Sequence, residues 1–246
     1  MVSVCMTTHN GEKFILKQIN SILSQLNVDD ELIISDDNST DNTLKIIRDL
    51  NDKRIRIFNF NGQYPREKKW TLINHRISFN FLNAMNNAKG DIILFSDQDD
   101  VWLPNKINTV VQALNANDLV ISNFSIINED DEVIKQRFYE EFHFVYPYWL
   151  CALSPHFTGC AMGFKRWILN VALPFPNEIS CGHDNWLGLC AMKYGKISYI
   201  EEPLFMHRVH SGNNSYLAKK SSNSLMRKIN WRLRAFFAII TRVKNA

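Results

Sequence analysis

Cysteine is scarce and unpaired in this chain. Five cysteines stand at 5, 151, 160, 181 and 190, an odd number with no Cys-x-x-Cys spacing. That argues against a zinc ribbon or a disulfide scaffold and fits reduced thiols in a cytosolic setting. Glycine is thin as well, nine residues in 246. Neither Gly-x-Gly-x-x-Gly nor Gly-x-x-x-x-Gly-Lys-Ser/Thr occurs, so no glycine-rich loop is available to cradle a phosphate. Apolar runs fall short of the roughly 18 residues that a membrane-spanning helix needs. The stretch Met1 to Met6 has no basic start and is not expected to be a signal peptide. Acidic residues are missing beyond Glu202, where nine Lys and Arg remain, so the first 202 residues carry a net charge of −6. A body of that sign is a poor partner for nucleic acid.

What remains is the composition of an ordinary folded protein, 46% apolar and 22% charged. Its length suits one large domain, or a domain with a subdomain. Val2 to Thr7 reads as a buried strand. Glu12 to Leu26 follows with apolar residues at helical spacing (Phe14, Ile15, Ile19, Ile22, Leu23, Leu26). Glu31 to Ser35 is a second strand, Leu44 to Leu50 a second helix, and Arg54 to Phe58 a third strand. This β-α-β-α-β order predicts a parallel sheet, a Rossmann-like half. Asn59 to Asn74 is polar and irregular. Ile77 to Ala88 is helical again, with Gly90 ending it. After the strand Ile92 to Ser96, a helix is expected from about Pro104 to Leu114, then a strand at Leu119 to Ser122. The aromatics between Phe138 and Trp149 are expected to pack as core rather than line a cleft. Phe157 to Phe164 reads as a strand, Gly182 to Tyr194 as a helix, and Ile197 to Ile200 and Leu204 to Met206 as two short strands.

The chemistry concentrates at strand ends. Asp36 and Asp37 follow the second strand, and Asp97, Asp99 and Asp100 crowd the end of the fourth. In a parallel sheet these ends share one edge, where ligands bind. Clustered carboxylates repel one another unless a cation or ordered donors sit among them. Hard oxygen ligands beside an open edge suit Mg²⁺ or Mn²⁺ carrying substrate phosphates. With no glycine-rich loop, neutralising a diphosphate falls to such a cation. Asp184 opens a later helix, where an aspartate can be a cap or a reacting carboxylate.

Taken in series, several motifs carry a resemblance. They are an N-terminal strand ending in Thr8-His9-Asn10, then Ser35-Asp36-Asp37-Asn38-Ser39-Thr40-Asp41, then Ser96-Asp97-Gln98-Asp99-Asp100-Val101-Trp102. His183-Asp184-Asn185-Trp186 and Arg208-Val209-His210-Ser211-Gly212-Asn213-Asn214 complete the set. Over roughly residues 2 to 214 the chain resembles the inverting family 2 glycosyltransferases of the GT-A fold, in particular bacterial O-antigen and capsule enzymes, some of them rhamnosyltransferases. The resemblance implies an α/β domain over 1–220, with a nucleotide-sugar half (1–103) and an acceptor half (104–220). It implies that Thr8, Asn10, Asp37 and Ser78 contact the nucleoside, that Asp97 lies by the ribose, and that Asp99 coordinates a Mn²⁺ or Mg²⁺ ion on the diphosphate. Arg208 and His210 would lie near that diphosphate, and Asp184 would be the general base. The donor would be a UDP- or dTDP-sugar and the acceptor a glycan or a lipid-linked sugar. Asn38 stands where the family commonly has Gly, a change that Asn's tolerance of left-handed backbone permits. His183 replaces a common Glu and is expected to be structural or acceptor-contacting. The Gln-x-x-Arg-Trp signature of processive synthases is missing, which implies transfer of one residue at a time.

Two other classes fit less well. A nucleotidyltransferase also uses carboxylate-held Mg²⁺, but it does not account for the Asp184 motif. A non-catalytic nucleotide-sugar-binding module would not need Asp37, Asp99 and Asp184 together. In the tail, 221–246, Leu225, Ile229, Leu233, Phe236, Phe237 and Ile240 follow a 3.6-residue stripe among Arg227, Lys228, Arg232, Arg234 and Arg242. An amphipathic helix lying on an anionic membrane is expected there, with the protein on the inner face of the cytoplasmic membrane.

Overall fold

The computed structural model describes residues 1–62, 72–144, 157–175 and 182–212, together with 226, 229, 233, 236 and 237. The first strand, β1 (Val2–Thr8), is buried along nearly its whole length, as expected of a parallel strand covered on both faces. It pairs in parallel with β2 (Glu31–Asp36) on one side and β4 (Ile92–Ser96) on the other. β3 (Ile55–Asn59) extends the parallel set beyond β2. Between these strands run α1 (Ile15–Leu23), α2 (Thr43–Asp49) and α3 (Leu72–Asn87). Helix α1 turns Ile15, Ile19 and Ile22 inward, and α3 presents Phe81, Ala84 and Met85 to the core at 0–1% exposure. Gly90 closes the turn before β4 against β1. A Cβ there would lie 2.6 Å from the Ser3 backbone nitrogen, so only glycine admits this approach.

Beyond β4 the sheet continues with mixed polarity. The remaining elements are β5 (Val101–Trp102), α4 (Lys106–Leu114), β6 (Leu119–Ile127), β7 (Val133–Lys135), β8 (Met162–Lys165), α5 (Ile168–Ala172), α6 (Gly182–Tyr194) and β9 (Ile197–Arg208). The strand order is β3-β2-β1-β4-β8-β6-β9-β5, with β7 attached to β6. β8 is antiparallel to both β4 and β6, whereas β6 and β9 are parallel. The described parts of the two expected halves, 1–103 and 104–220, therefore share one sheet and one continuous core. Helix α4 lies close over β8, where a Cβ on Gly163 would meet Val110 Cγ1 at 2.4 Å.

Several sequence expectations change at this level. Phe157 to Phe164 is not one strand: a 3-10 turn at Gly159–Ala161 precedes β8. The two short strands expected from Ile197 are one strand of 12 residues. Pro203, which lies between them, falls where the β6–β9 register slips opposite Asn123, a place that tolerates a residue without an N–H donor. Helix α4 begins at Lys106 because Asn105 is left-handed, φ 68°. Phe138, Tyr139, Phe142 and Phe144 pack on the core as expected, while Tyr146, Tyr148 and Trp149 lie outside the described residues. Cys5, Cys160 and Cys190 are buried free thiols; Cys151 and Cys181 lie outside the described residues. Among the described residues, no helix is long and apolar enough to cross a membrane.

Candidate active site

Register places the functional loops together. Thr8 pairs with Asp36 and Met6 with Ser96, so the loops after β1, β2 and β4 leave the sheet at the same edge. Asp36 orders the turn after β2. One of its oxygens accepts the Thr8 hydroxyl at 2.7 Å and the Ser39 hydroxyl at 2.6 Å, and the other accepts the Ser39 N–H at 2.9 Å. Asn38 takes the left-handed conformation that turn needs, φ 54°. Asp37, the next residue, is left to pair with Arg76 of α3, whose Nη2 donates to its carboxylate at 2.7 Å. Asn10 is exposed and left-handed, φ 49°. Its side-chain Oδ1 accepts the Thr40 N–H at 2.8 Å.

The acidic turn between β4 and β5 divides into two populations. Asp99 Oδ2 lies 2.8 Å from His210 Nε2, beyond the end of β9. Asp100 faces inward, fully buried, and bonds His207 Nδ1 at 2.8 Å and the Arg208 N–H at 3.2 Å. Burial alone would lower the His207 pKa, but Asp100, Asp97 and Asp99 outweigh it and lift it to about 9. Asp97 is half-buried by its neighbours, and its carboxyl accepts the Cys160 thiol. Burial and then the charges of Asp100 and Asp99 raise it to about 7. Lys106 lies beneath this cluster and donates to the Cys160 carbonyl at 2.9 Å. Its ammonium stands 4.0 Å from the Phe205 ring centroid and 4.4 Å from that of Trp102. Burial pushes its pKa down to about 8.

On the other flank, Asp184 sits in the first turn of α6. Gly182 enters that helix at φ 81°. One Asp184 oxygen accepts the Asn185 N–H at 2.8 Å, and the Gly159 N–H also bonds the carboxylate. Desolvation still raises its pKa to about 6. His183 is structural: it is buried, stacks on Phe81 with centroids 4.3 Å apart, and desolvation holds its pKa near 3.

Three residues expected to contact the donor or to lie near it are enclosed, with their side chains bonded within the protein. Ser78 has no exposed surface, and its hydroxyl accepts the His183 N–H at 3.1 Å. Thr8 is 2% exposed, with its hydroxyl spent on Asp36. Arg208 is 1% exposed and stands 4.6 Å over the Phe14 ring. Its Nε donates to the Asp99 carbonyl at 2.9 Å, its Nη1 to the Asn128 carbonyl at 2.9 Å, and its Nη2 to Asp131 at 2.6 Å. An arginine so enclosed braces the acidic turn. Conversely, Arg76 and Lys106 lie outside the motifs, and Gln98 lies inside one with no role assigned to it. Lys106 carried a faint signal, a lone cation on the apolar face of Ile107, Val110 and Leu114.

Short contacts join these groups into a ring. His9 Nδ1 donates to the Asp37 carbonyl at 2.7 Å, and the His9 N–H donates to Gln98 at 2.9 Å. Gln98 adjoins Asp97, Asp97 bonds Cys160, and Gly159 bonds Asp184. Ser78 then ties His183 back to α3, whose Arg76 holds Asp37. Asp37, the acidic turn and Asp184 thus border one region of the sheet edge.

Two sets of groups have ligand character. The buried one comprises Asp97, Asp100, Cys160 and His207, whose ligand atoms all lie within 4.8 Å of one another. It fits Mg²⁺ or Mn²⁺ poorly, because a protonated thiol and the Lys106 ammonium occupy ground that hard oxygen ligands would need. Asp99 with His210 fits better. That pair offers a carboxylate and an imidazole and is partly exposed, at 12% and 17% of side-chain surface, as a site completed by substrate oxygens needs to be.

This mixed α/β sheet with an acidic turn at its carboxyl edge has the GT-A architecture, a fold class of glycosyltransferases. Residues 3–171 match the model of Glycosyl transferase family 2, and the chain belongs to that family. Among curated relatives, it is 28% identical to the dTDP-rhamnosyl transferase RfbG of Shigella flexneri, covering 98% of this chain and 84% of that one. It is also 28% identical to the UDP-Glc:alpha-D-GlcNAc-diphosphoundecaprenol beta-1,3-glucosyltransferase WfgD of Escherichia coli, covering 81% and 73%. The fold resembles that of S. aureus TarS 1-349 in complex with UDP-GlcNAc, with TM-score 0.71, 18% identity and coverage of 100% and 67%. It also resembles the mannosyltransferase PcManGT of Pyrobaculum calidifontis in complex with GDP-Man and Mn2+, at TM-score 0.61, 17% identity, 98% and 64% coverage.

Proposed function

We propose that the protein is an inverting, cation-dependent glycosyltransferase that moves one sugar from a nucleotide-sugar donor to a hydroxyl of a glycan or lipid-linked acceptor in bacterial surface-polysaccharide synthesis. The observation that carries this reading is the ring of contacts joining Asp37, the Asp97–Asp100 turn and Asp184. Asp37 and Asn10 recognise the nucleoside, with Arg76 as a counter-charge that turns to the ligand when Asp37 does. Asp97 serves the ribose side. Asp99 and His210 would hold a Mn²⁺ or Mg²⁺ ion, which when bound neutralises charge developing on the leaving diphosphate.

Asp184 takes the acceptor hydroxyl proton. With a pKa near 6 it is ionised at neutral pH yet a stronger base than an ordinary carboxylate. The freed oxygen attacks the anomeric carbon as the diphosphate departs. A single displacement needs no covalent nucleophile and inverts the configuration.

RfbG and WfgD carry different donors in their names, dTDP-rhamnose and UDP-Glc, so the donor is decided by experiment. Purified protein is offered UDP-glucose, UDP-GlcNAc, dTDP-rhamnose and GDP-mannose with Mn²⁺ or Mg²⁺, and nucleoside diphosphate release is measured. Proton NMR of the product reads the anomeric configuration. Asp184→Asn is expected to bind donor normally and lose about 10²–10⁴-fold in transfer. Full activity in that variant overturns the base assignment.

The WfgD name also specifies an acceptor on diphosphoundecaprenol, which makes an anionic membrane surface a natural place of work. The described tail residues support this. Met226, Ile229, Leu233 and Phe237 are 44–78% exposed at helical spacing, and Phe236 packs on the body. Liposomes containing anionic lipid are expected to bind the protein in a salt-sensitive way. Met226→Ser/Leu233→Ser/Phe237→Ser, which leaves Phe236 in place, should abolish that binding.

A further inference from the structure

Gln98 stands between the two aspartates that the donor reading assigns to ribose and cation, and its amide is spent on the main chain of His9. Its Oε1 accepts the His9 N–H at 2.9 Å, and its Nε2 donates to the His9 carbonyl at 3.1 Å. This two-bond pairing of side-chain amide with peptide fixes both the separation and the tilt of the two loops. The approach is close. A Cβ on Gly11 would come within 2.5 Å of Gln98 Oε1, so residue 11 has to be glycine while Gln98 keeps this position.

The far side of the same loop is bonded to the Asp37 turn. The Asp37 N–H donates to the Thr8 carbonyl at 2.8 Å, and His9 Nδ1 donates to the Asp37 carbonyl at 2.7 Å. The Asn10 N–H donates to the Ser39 hydroxyl at 2.9 Å, and the Thr40 N–H to the Asn10 side chain at 2.8 Å. Residues 8–11 are therefore a strut. One face is fastened to the nucleoside loop, and the other is fastened through Gln98 to the turn carrying Asp99.

We infer that Gln98 is a positioning residue that couples nucleoside recognition at Asp37 to cation and diphosphate binding at Asp99 through the main chain of His9. The inference rests on the donor-site reading given under Proposed function. It requires that binding at one end of the strut favour binding at the other, a coupling that is reciprocal by linkage.

Calorimetric titration of the full chain with UMP, UDP, dTMP and dTDP, each with and without Mn²⁺, measures this coupling. In wild type, Mn²⁺ is expected to tighten nucleoside diphosphate binding about tenfold or more. Gln98→Ala should reduce that enhancement by about fivefold or more, with monophosphate affinity within about twofold of wild type and an unchanged melting temperature. Gln98→Glu keeps an acceptor for the His9 N–H but sets a carboxylate oxygen against the His9 carbonyl, and should show a partial loss. It also provides the readout should the alanine variant not fold. An undiminished Mn²⁺ enhancement in both variants overturns the inference. So does an equal loss for monophosphate and for diphosphate with Mn²⁺, which would mean that Gln98 merely braces the loop. Wild-type protein that binds none of the four nucleotides overturns the donor-site reading itself, and the coupling with it, before any variant is compared.

Discussion

Two carboxylate–imidazole pairs sit side by side in this protein with the same separation. Asp99 meets His210 and Asp100 meets His207, each at 2.8 Å. They differ in access to water: the first pair keeps 12% and 17% of its side-chain surface, the second 0% and 3%. Access decides what each can do. The outer pair is open to water on one side, as the proposed cation and its substrate oxygens require. The inner pair is held by the Arg208 N–H and closed over by Phe124. Asp100 Oδ2 and His207 Nε2 are buried without a hydrogen-bond partner among the described residues. Separating that pair would strand charge in the interior, so it serves as a staple between the acidic turn and β9.

The comparison can be broken from either side. The largest effect is expected at the outer aspartate. Asp99→Ala should lower transfer by about 10²–10³-fold while leaving the denaturant midpoint near that of wild type. A matching loss of stability would show that Asp99 is a staple as well. The inner pair should behave in the opposite sense. His207→Leu leaves Asp100 uncompensated and should cost about 3–5 kcal/mol in urea unfolding, whereas Asp100→Leu/His207→Leu should recover much of it. Equal costs for the single and double variants would refute the staple.

His210→Ala sharpens the contrast at smaller amplitude. It should weaken cation affinity about 10–100-fold and change stability by less than about 0.5 kcal/mol. The smallest effect concerns pH. Transfer should rise through pH 6 and level above it, following ionisation of Asp184. Because this carboxyl titrates higher folded than unfolded, its ionisation penalises the fold above about pH 6 and the penalty disappears below the unfolded value. Asp184→Asn should therefore be slightly more stable than wild type at pH 8 and not at pH 4. The reverse order would show that the carboxylate is stabilised rather than strained.

Much of this could be read from the chain alone because the relevant physics is local. The alternation of buried strands and amphipathic helices up to Ser96 follows from hydrophobic spacing, and the strand ends at Asp36 and Ser96 follow from abrupt changes to polar residues. Once a parallel sheet is inferred, those ends must share an edge, so Asp37 and the acidic turn could be assigned to one site. The far half was harder. β8 is a four-residue strand wedged antiparallel between β4 and β6, and β9 runs through a proline by slipping its register. Both depend on partners distant in sequence, which no local pattern encodes.

The amino-acid order by itself determined where carboxylates would gather and that a phosphate would find no glycine-rich cradle. It could not say which aspartate in Asp97-Gln98-Asp99-Asp100 faces water, nor that Arg208, Thr8 and Ser78 are enclosed. A residue's type fixes its chemistry, but its availability depends on the chain that packs over it. Here that covering comes from β9, α3 and α6, brought to the acidic turn only when the sheet closes.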